Sequence, residues 1–160
     1  MSKAPKQPRR NDVPPEDHVA RYCHPQRVMR DPNTNAITGV FPQAFKLRPK
    51  INEKYLSSHW MESFSPDVDT QFHAVATALG KKLTIEPKAA IARLNVSYVI
   101  QAGAKKNHSI VIRNKSKPND PGYAGIYGMP LDNSDAIFLD LLATECCIEI
   151  RGVVDMIGES

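Results

Sequence analysis

The sequence predicts one α+β domain with a mainly antiparallel sheet and two principal helices, over about 66–79 and 134–147. A chain of 160 residues suits a single hydrophobic core. Short segments of alternating polarity, bounded by Pro, Asn and Gly, are typical of strands. The two helical segments do not alternate strictly with these strands, which favours an α+β arrangement.

Short strands are predicted through the first part of the chain. "HVARYC", residues 18–23, sets His18, Ala20 and Tyr22 on one face against Val19, Arg21 and Cys23 on the other, which fits a short strand. "QRVMRDPNTNAITGVF", residues 26–41, contains two short strands around a turn of Asp, Pro and Asn. Two more extended segments are expected at 44–49 and 53–60.

The first helix has the most complete local signature. Ser65 is a good N-cap, Pro66 suits the first helical position, and Gly80 is a good stop. The apolar residues recur at helical spacing and predict one buried face: Val68, Phe72, Val75 and Leu79.

The second half is predicted to hold two more strands and the second helix. "AIARLNVSYVI", residues 90–100, alternates as a strand, and "HSIVIRN", residues 108–114, is expected to be its neighbour. Residues 119–135 then connect to a helix capped by Ser134, whose inward residues are Ile137, Phe138, Leu141 and Leu142. The remaining residues either extend this helix or form a last strand.

Residues 1–16 are predicted to be a disordered basic arm, and residues 17–160 to be the globular domain. The arm contains four prolines and few residues to bury, so its burial cannot offset the entropy of ordering. A basic arm of this kind is typical of nucleic-acid binding or of a solubilising tail.

Charge is strongly segregated along the chain. Residues 18–117 hold 16 basic and 6 acidic residues, whereas residues 118–160 hold 1 basic and 8 acidic residues. Such asymmetry indicates a polyanion or an acidic partner, unless the acidic part folds over the basic part.

A cytoplasmic protein without membrane association is expected. No apolar run approaches the roughly 18 residues that a membrane span needs. The basic N-terminus has no apolar segment behind it, so it does not resemble a signal peptide. Three cysteines, an odd number, argue against a disulfide framework.

No metal or cofactor is predicted. His18 and Cys23 would point to opposite faces of one strand, and the vicinal pair Cys146–Cys147 cannot easily share a metal. The glycines of residues 119–135 match neither a Walker A loop nor a dinucleotide fingerprint. That stretch is predicted to be a connection first and a ligand loop second.

The basic segments predict a nucleic-acid interface in which phosphate contacts dominate. The predicted phosphate-binding residues are Lys3, Lys6, Arg9, Arg10, Lys46, Arg48, Lys50, Lys105, Lys106, Arg113, Lys115 and Lys117. The predicted stacking residues are Tyr123, Tyr127 and Trp60, with Tyr55 and Phe45 as further aromatic candidates.

Two weaker arrangements would support catalysis. His59 and His108, with Lys105 and Arg113, hold the group types of a metal-independent ribonuclease. The order of Arg21, Ser57–Ser58 and Glu149 loosely resembles the Arg–Ser–Glu order of the ADP-ribosyltransferase superfamily. The resemblance implies that the arginine and serine hold a dinucleotide while the glutamate stabilises an oxocarbenium-like centre.

Three functions are therefore carried forward. The first is a nucleic-acid-binding or nucleoprotein-associated accessory protein, with RNA or DNA as partner. The second is a protein-interaction or regulatory subunit that docks a protein partner through the acidic helix at 134–147. The third is a small ribonuclease or nucleotide-using transferase, although a non-enzymatic role is favoured.

Overall fold

The computed structural model describes residues 11–48, 51, 53–131 and 135–154. Its strands are β1 His18–Cys23, β2 Val28–Arg30, β3 Ile37–Val40, β4 Leu56–Trp60, β5 Ala90–Asn95, β6 Val111–Asn114, β7 Tyr123–Tyr127 and β8 Cys147–Gly152. Its helices are α1 Val68–Gly80, α2 Val96–Lys105 and α3 Ala136–Leu141. The α+β class is confirmed, with three helices in place of two.

Six strands form one antiparallel sheet in the order β6–β7–β4–β1–β5–β8, while β2 and β3 form a separate hairpin. Residues paired across neighbouring strands share a face of the sheet. Ala20, His59 and Tyr123 are paired in this way and lie on the face that α1 covers, called the α1 face below. Val19 and Leu94 lie on the opposite face, the α2 face, which α2 and α3 cover.

Each face of the sheet has its own core. On the α1 face, Phe72 and Val75 of α1 pack against Ala20 and Ile91. On the α2 face, Val99 of α2 and Phe138 of α3 belong to the cluster that includes Leu94. The sheet is therefore buried on both sides over its central strands.

The first helix begins two residues later than predicted. Asp67 is the N-cap, and its carboxylate accepts a hydrogen bond from the backbone N–H of Thr70. Ser65 instead accepts a bond from the backbone N–H of Asp67. The predicted buried face is otherwise confirmed: Phe72, Val75 and Leu79 are buried, and Val68 is half-buried.

The predicted strand over 90–100 is wrong in its second half. Asn95 accepts a hydrogen bond from the backbone N–H of Tyr98 and caps α2, which occupies Val96–Lys105. Val96 and Val99 are buried while Tyr98 is 51% exposed, which is a helical pattern. Only Val96 and Ile100, four residues apart, fit both a helix face and strand alternation. The predicted pairing of residues 108–114 with this strand is also wrong, because β6 pairs with β7, whereas β5 pairs with β1 and β8.

Three other predicted elements differ from the structure. The extended segment predicted at 44–49 is not a strand over its described residues, 44–48, because Pro42–Phe45 forms a 3₁₀ turn that buries Phe45. The stretch 119–135, predicted to be a connection, contributes β7 to the sheet. The second helix ends early, since a π turn at Leu142–Cys146 leads directly into β8.

Residues 11–13, which fall within the predicted arm, pack against the sheet. Val13 is 3% exposed, and its backbone N–H donates to Ile112 O at 2.9 Å. Asn114 N donates to Asn11 O at 2.7 Å, so residues 11–13 run beside β6. Residues 1–10 lie outside the described residues, and the arm stays a prediction there.

Candidate anion-binding site

The site begins where β1 and β4 diverge. Their pairing covers Val19–Trp60 and Ala20–His59, and Arg21 is the next residue of β1. Beyond this point, the Arg21 side chain makes the hydrogen bond to β4 in place of backbone pairing. Its Nη1 donates to Ser57 O and its Nε donates to Ala44 O, both at 2.9 Å. Arg21 thus links β4 to the 3₁₀ turn at Pro42–Phe45.

A cavity of about 670 Å³ opens beside this arginine. Strand residues of β1 and β4, two 3₁₀ turns and the segment after α1 form its walls. No Asp or Glu lines it among the described residues. Its five cationic lining residues define the arginine cavity: Arg21, Arg27, Lys46, Arg48 and Lys82.

Two of these cations are neutralised by carboxylates outside the cavity wall. Arg48 pairs with Glu53 at 2.9 Å, and Lys82 pairs with Asp120. Among the described residues, no carboxylate forms an ion pair with Arg21, Arg27 or Lys46. Burial lowers the pKa of Arg21, because desolvation disfavours its charged form. A bound anion would supply the charge that this cluster lacks.

A buried His–Asp pair lies at the edge of the cavity. His59 is 4% exposed, and its Nε2 is 3.0 Å from Asp120 Oδ1. Burial raises the pKa of Asp120, but the bonds from Lys82 and His59 outweigh this and the net shift is downward. Asp120 is therefore ionised at neutral pH, and His59 Nε2–H is the donor in this pair.

Because of this buried pair, we expect the free energy of unfolding to decrease as the pH falls. Burial lowers the pKa of His59 below its ordinary 6.5, so the unfolded chain takes up the proton first. The stability that neutral His59 contributes is present above pH 6.5 and is lost as the pH falls through the lowered pKa. The free energy of urea unfolding, measured from neutral to mildly acidic pH, will fall less steeply in His59→Gln. The exposed His24→Gln is the control, and equal slopes in wild type and His59→Gln would contradict the prediction.

Three tyrosines adjoin the cavity on the α1 face and, together with Lys82, Arg113 and Lys115, define the tyrosine surface. The ring of Tyr55 lies 5.0 Å from that of Tyr127 and 6.2 Å from that of Tyr123, measured between centroids. Tyr123 Oη is 3.1 Å from Ser57 Oγ and donates to Tyr55 Oη at 3.2 Å. The hydrogen bond with Tyr123, followed by burial, raises the pKa of Tyr55 to about 12.

Cations lie against the rings of this surface. Lys115 Nζ is 5.0 Å from the Tyr55 centroid and 5.7 Å from that of Tyr127. Lys82 Nζ lies 4.2 Å from the Tyr123 centroid, and Arg113 Cζ lies 5.2 Å from that of Tyr127. Since cation–π attraction favours these positions, the rings hold the positive charges in place.

Gly125 permits the close packing of these tyrosines. A Cβ at this position would lie 2.7 Å from Tyr55 Cδ2 and 3.1 Å from Tyr127 Cε2. Gly122 and Gly128 flank β7, and their φ angles of 77° and 88° lie in the left-handed region that favours glycine. The glycine spacing of residues 119–135 thus serves the strand and its tyrosine neighbours.

The structure brings together part of the predicted phosphate-binding set. Lys46 and Arg48 line the arginine cavity, and Arg113 and Lys115 lie on the tyrosine surface. Lys117 lies in the turn between β6 and β7, where its backbone forms a β-bridge with that of Asp120. By contrast, Lys105 and Lys106 end α2, which covers the opposite face. The predicted residues outside the described part of the chain are Lys3, Lys6, Arg9, Arg10 and Lys50.

Two of the predicted stacking residues lie on the tyrosine surface, and the aromatic candidates Trp60 and Phe45 do not. Tyr123 and Tyr127 lie on the tyrosine surface, and their stacking role stays a prediction. Trp60 does not belong there: it pairs with Val19 on the α2 face, packs on the core and donates from Nε1 to Asp17 at 2.9 Å. Phe45 is fully buried and is likewise excluded.

Neither catalytic arrangement is assembled. His59 contacts Asp120 and Tyr123 on the α1 face, whereas His108 contacts Asp135 and Phe138 on the α2 side. These two histidines therefore do not act on one substrate atom.

The Arg–Ser–Glu trio is also separated. Arg21 and Ser57 are hydrogen bonded, but Glu149 lies on β8, two strands from β1. Register places Glu149 with Arg93 and Ala20 on the α1 face, whereas Arg21 shares its face with Ala92. Glu149 instead accepts a hydrogen bond from Arg151.

Sequence reasoning missed Arg27 and Lys82. Arg27 follows a His-Pro turn, and Lys82 follows the end of α1 within the pair Lys81–Lys82. The adjacent lysines 81 and 82 could have indicated a basic site in the sequence. No feature of the sequence around Arg27 indicates that it lines a cavity.

No protein-family model matches the chain, and no curated protein and no solved structure matches it. Within the described residues, no helix has the length and apolar character that a membrane span requires. The same part of the chain contains no group of three or more His, Cys, Asp or Glu side chains placed to hold a metal ion.

Proposed function

We propose that the protein binds single-stranded nucleic acid through the tyrosine surface and the adjoining arginine cavity. The observation that carries this proposal is the convergence of seven cations around three tyrosines and one cavity of about 670 Å³. A positively charged groove with aromatic side chains is the usual composition of a single-strand binding site.

The two parts are continuous. Lys82 and Tyr123 line the cavity and also belong to the tyrosine surface. A nucleic-acid strand lying across Lys115 and Arg113 would therefore meet the cavity at Lys82 and Tyr123. The rings hold the cations on this face for contact with phosphates, and no base-specific contact is required.

The proposal favours single strands over duplexes. The cations lie on the α1 face of the sheet and beside the point where β1 and β4 diverge. No described helix carries a row of cations that could enter the major groove of a duplex. The predicted role of an accessory protein is compatible with such a surface, and so is the predicted basic arm. The acidic helix proposed for protein docking is limited to α3 and stays a prediction.

Binding of a short hydroxyl-ended RNA at several salt concentrations tests this function. Because bound cations release counterions from the strand, affinity will fall steeply with salt. Lys115→Ala and Arg113→Ala will each weaken binding and reduce the logarithmic salt slope by about 0.7 for each phosphate contact removed.

Lys105→Ala is the matched control, since it removes the same charge from the α2 side. A full-length variant with alanine at Lys3, Lys6, Arg9 and Arg10 separates the arm from the folded surface. If only the arm variant loses binding, or if Lys105→Ala weakens binding as much as Lys115→Ala, the proposed surface is wrong.

A further inference from the structure

We propose that the arginine cavity binds the terminal phosphomonoester of a nucleic-acid strand, so that the protein recognises strand ends. This inference rests on the proposed function and names the chemical group that the cavity would take. It assigns different tasks to the two parts of the site: the tyrosine surface holds the strand, and the cavity holds its end.

The shape of the site favours an end over an internal phosphate. Arg21 lies between diverging strands and is half-buried, with its Nε and Nη1 already bonded to backbone carbonyls. An internal phosphodiester carries chain on both sides, whereas a terminal phosphate can enter a recess from one direction. The cavity volume of about 670 Å³ also falls within the range of roughly 300–1,000 Å³ that is usual for small-molecule sites.

The charge of the cavity favours the same group. Arg21, Arg27 and Lys46 have no carboxylate partner among the described residues. A phosphomonoester carries about −1.5 to −2 charges at neutral pH, more than an internal phosphodiester with its single charge. Guanidinium groups also match phosphate oxygens with paired donors, which suits a ligand with three terminal oxygens.

Binding of one RNA sequence with different ends tests the inference. The probes are the same short RNA with a 5′-phosphate, with a 3′-phosphate or with hydroxyl ends, together with a nucleoside 5′-monophosphate. We expect one phosphate-ended form to bind at least about tenfold more tightly than the hydroxyl-ended form, since a charged hydrogen bond is worth about that much. The variants Arg27→Ala and Lys46→Ala will remove this preference, whereas Lys115→Ala will weaken all RNA forms together.

Each outcome distinguishes the two proposals. If all three RNA forms bind equally and Lys115→Ala weakens them, the end-recognition inference is wrong and the proposed function stands. A third result is that no RNA binds, whereas the nucleoside monophosphate binds and Lys46→Ala abolishes that binding. The cavity is then a phosphomonoester site, and the proposed binding of nucleic-acid strands is wrong. If none of the probes binds, both are overturned. Arg27 and Lys46 are not core residues, and circular dichroism of each variant checks that it is folded.

Discussion

Replacing Arg21 by methionine will lower the free energy of unfolding by about 2–4 kcal/mol and will weaken binding of a phosphate-ended strand by about 10- to 100-fold. The stability loss arises because the part-buried Ser57 O and Ala44 O lose their charged donor, and a hydrogen bond to a charged group contributes about 1.5–3 kcal/mol. Removing a desolvated guanidinium offsets part of this loss.

Denaturant unfolding and RNA binding measure the two effects separately. Arg27→Met is the matched control, because Arg27 lines the same cavity but is exposed. It should weaken phosphate binding while changing stability by no more than about 0.5 kcal/mol. Arg21→Lys keeps the charge but lacks the planar donor fork, so it should recover only part of the stability. An Arg21→Met variant as stable as wild type would show that Arg21 does not join β4 to the 3₁₀ turn.

Replacing Phe72 by alanine will lower the free energy of unfolding by about 3–5 kcal/mol. Phe72 is fully buried between α1 and the sheet, in the cluster that contains Met61 and Ile91. Its removal leaves a cavity that the surrounding side chains cannot fill completely. The Arg151 guanidinium, 4.4 Å from the ring centroid, also loses its aromatic partner.

Urea unfolding at neutral pH checks this expectation, with Thr77→Ala on the exposed side of the same helix as control. The control should change stability by no more than about 0.5 kcal/mol. A midpoint shift at constant m-value would show a loss of stability without a change in the surface exposed on unfolding. A loss below about 1 kcal/mol in Phe72→Ala would contradict the packing of α1 on this face.

Local patterns predicted the elements whose signals agree with one another. In α1, a four–three–four apolar spacing, an acidic first turn and a terminal glycine all indicate a helix over nearly the same residues. In β1, alternation over six residues ends at a His-Pro pair, and the strand occupies those same six residues. Agreement among independent local signals makes such elements predictable.

Where local signals conflict, contacts made elsewhere decide. Residues 96–100 alternate like a strand, but the Asn95 cap and burial against α3 make them helical. Residues 123–127 lie among glycines, which indicates a loop, yet pairing with both β4 and β6 makes them a strand. The helix predicted to reach residue 147 ends at Leu141, and a π turn then leads into Cys147–Gly152, which pairs with β5.

The sequence by itself determined the α+β class, the first strand, the first helix and the excess of basic residues over 18–117. Only the tertiary structure decided which of those cations lie together. The order β6–β7–β4–β1–β5–β8 places β1 between segments far from it in sequence, and the cavity beside Arg21 collects residues from five separate segments. Periodicity reports which face a residue occupies within its own element, whereas strand order depends on pairings between distant segments. For that reason, the cavity was not visible in the sequence.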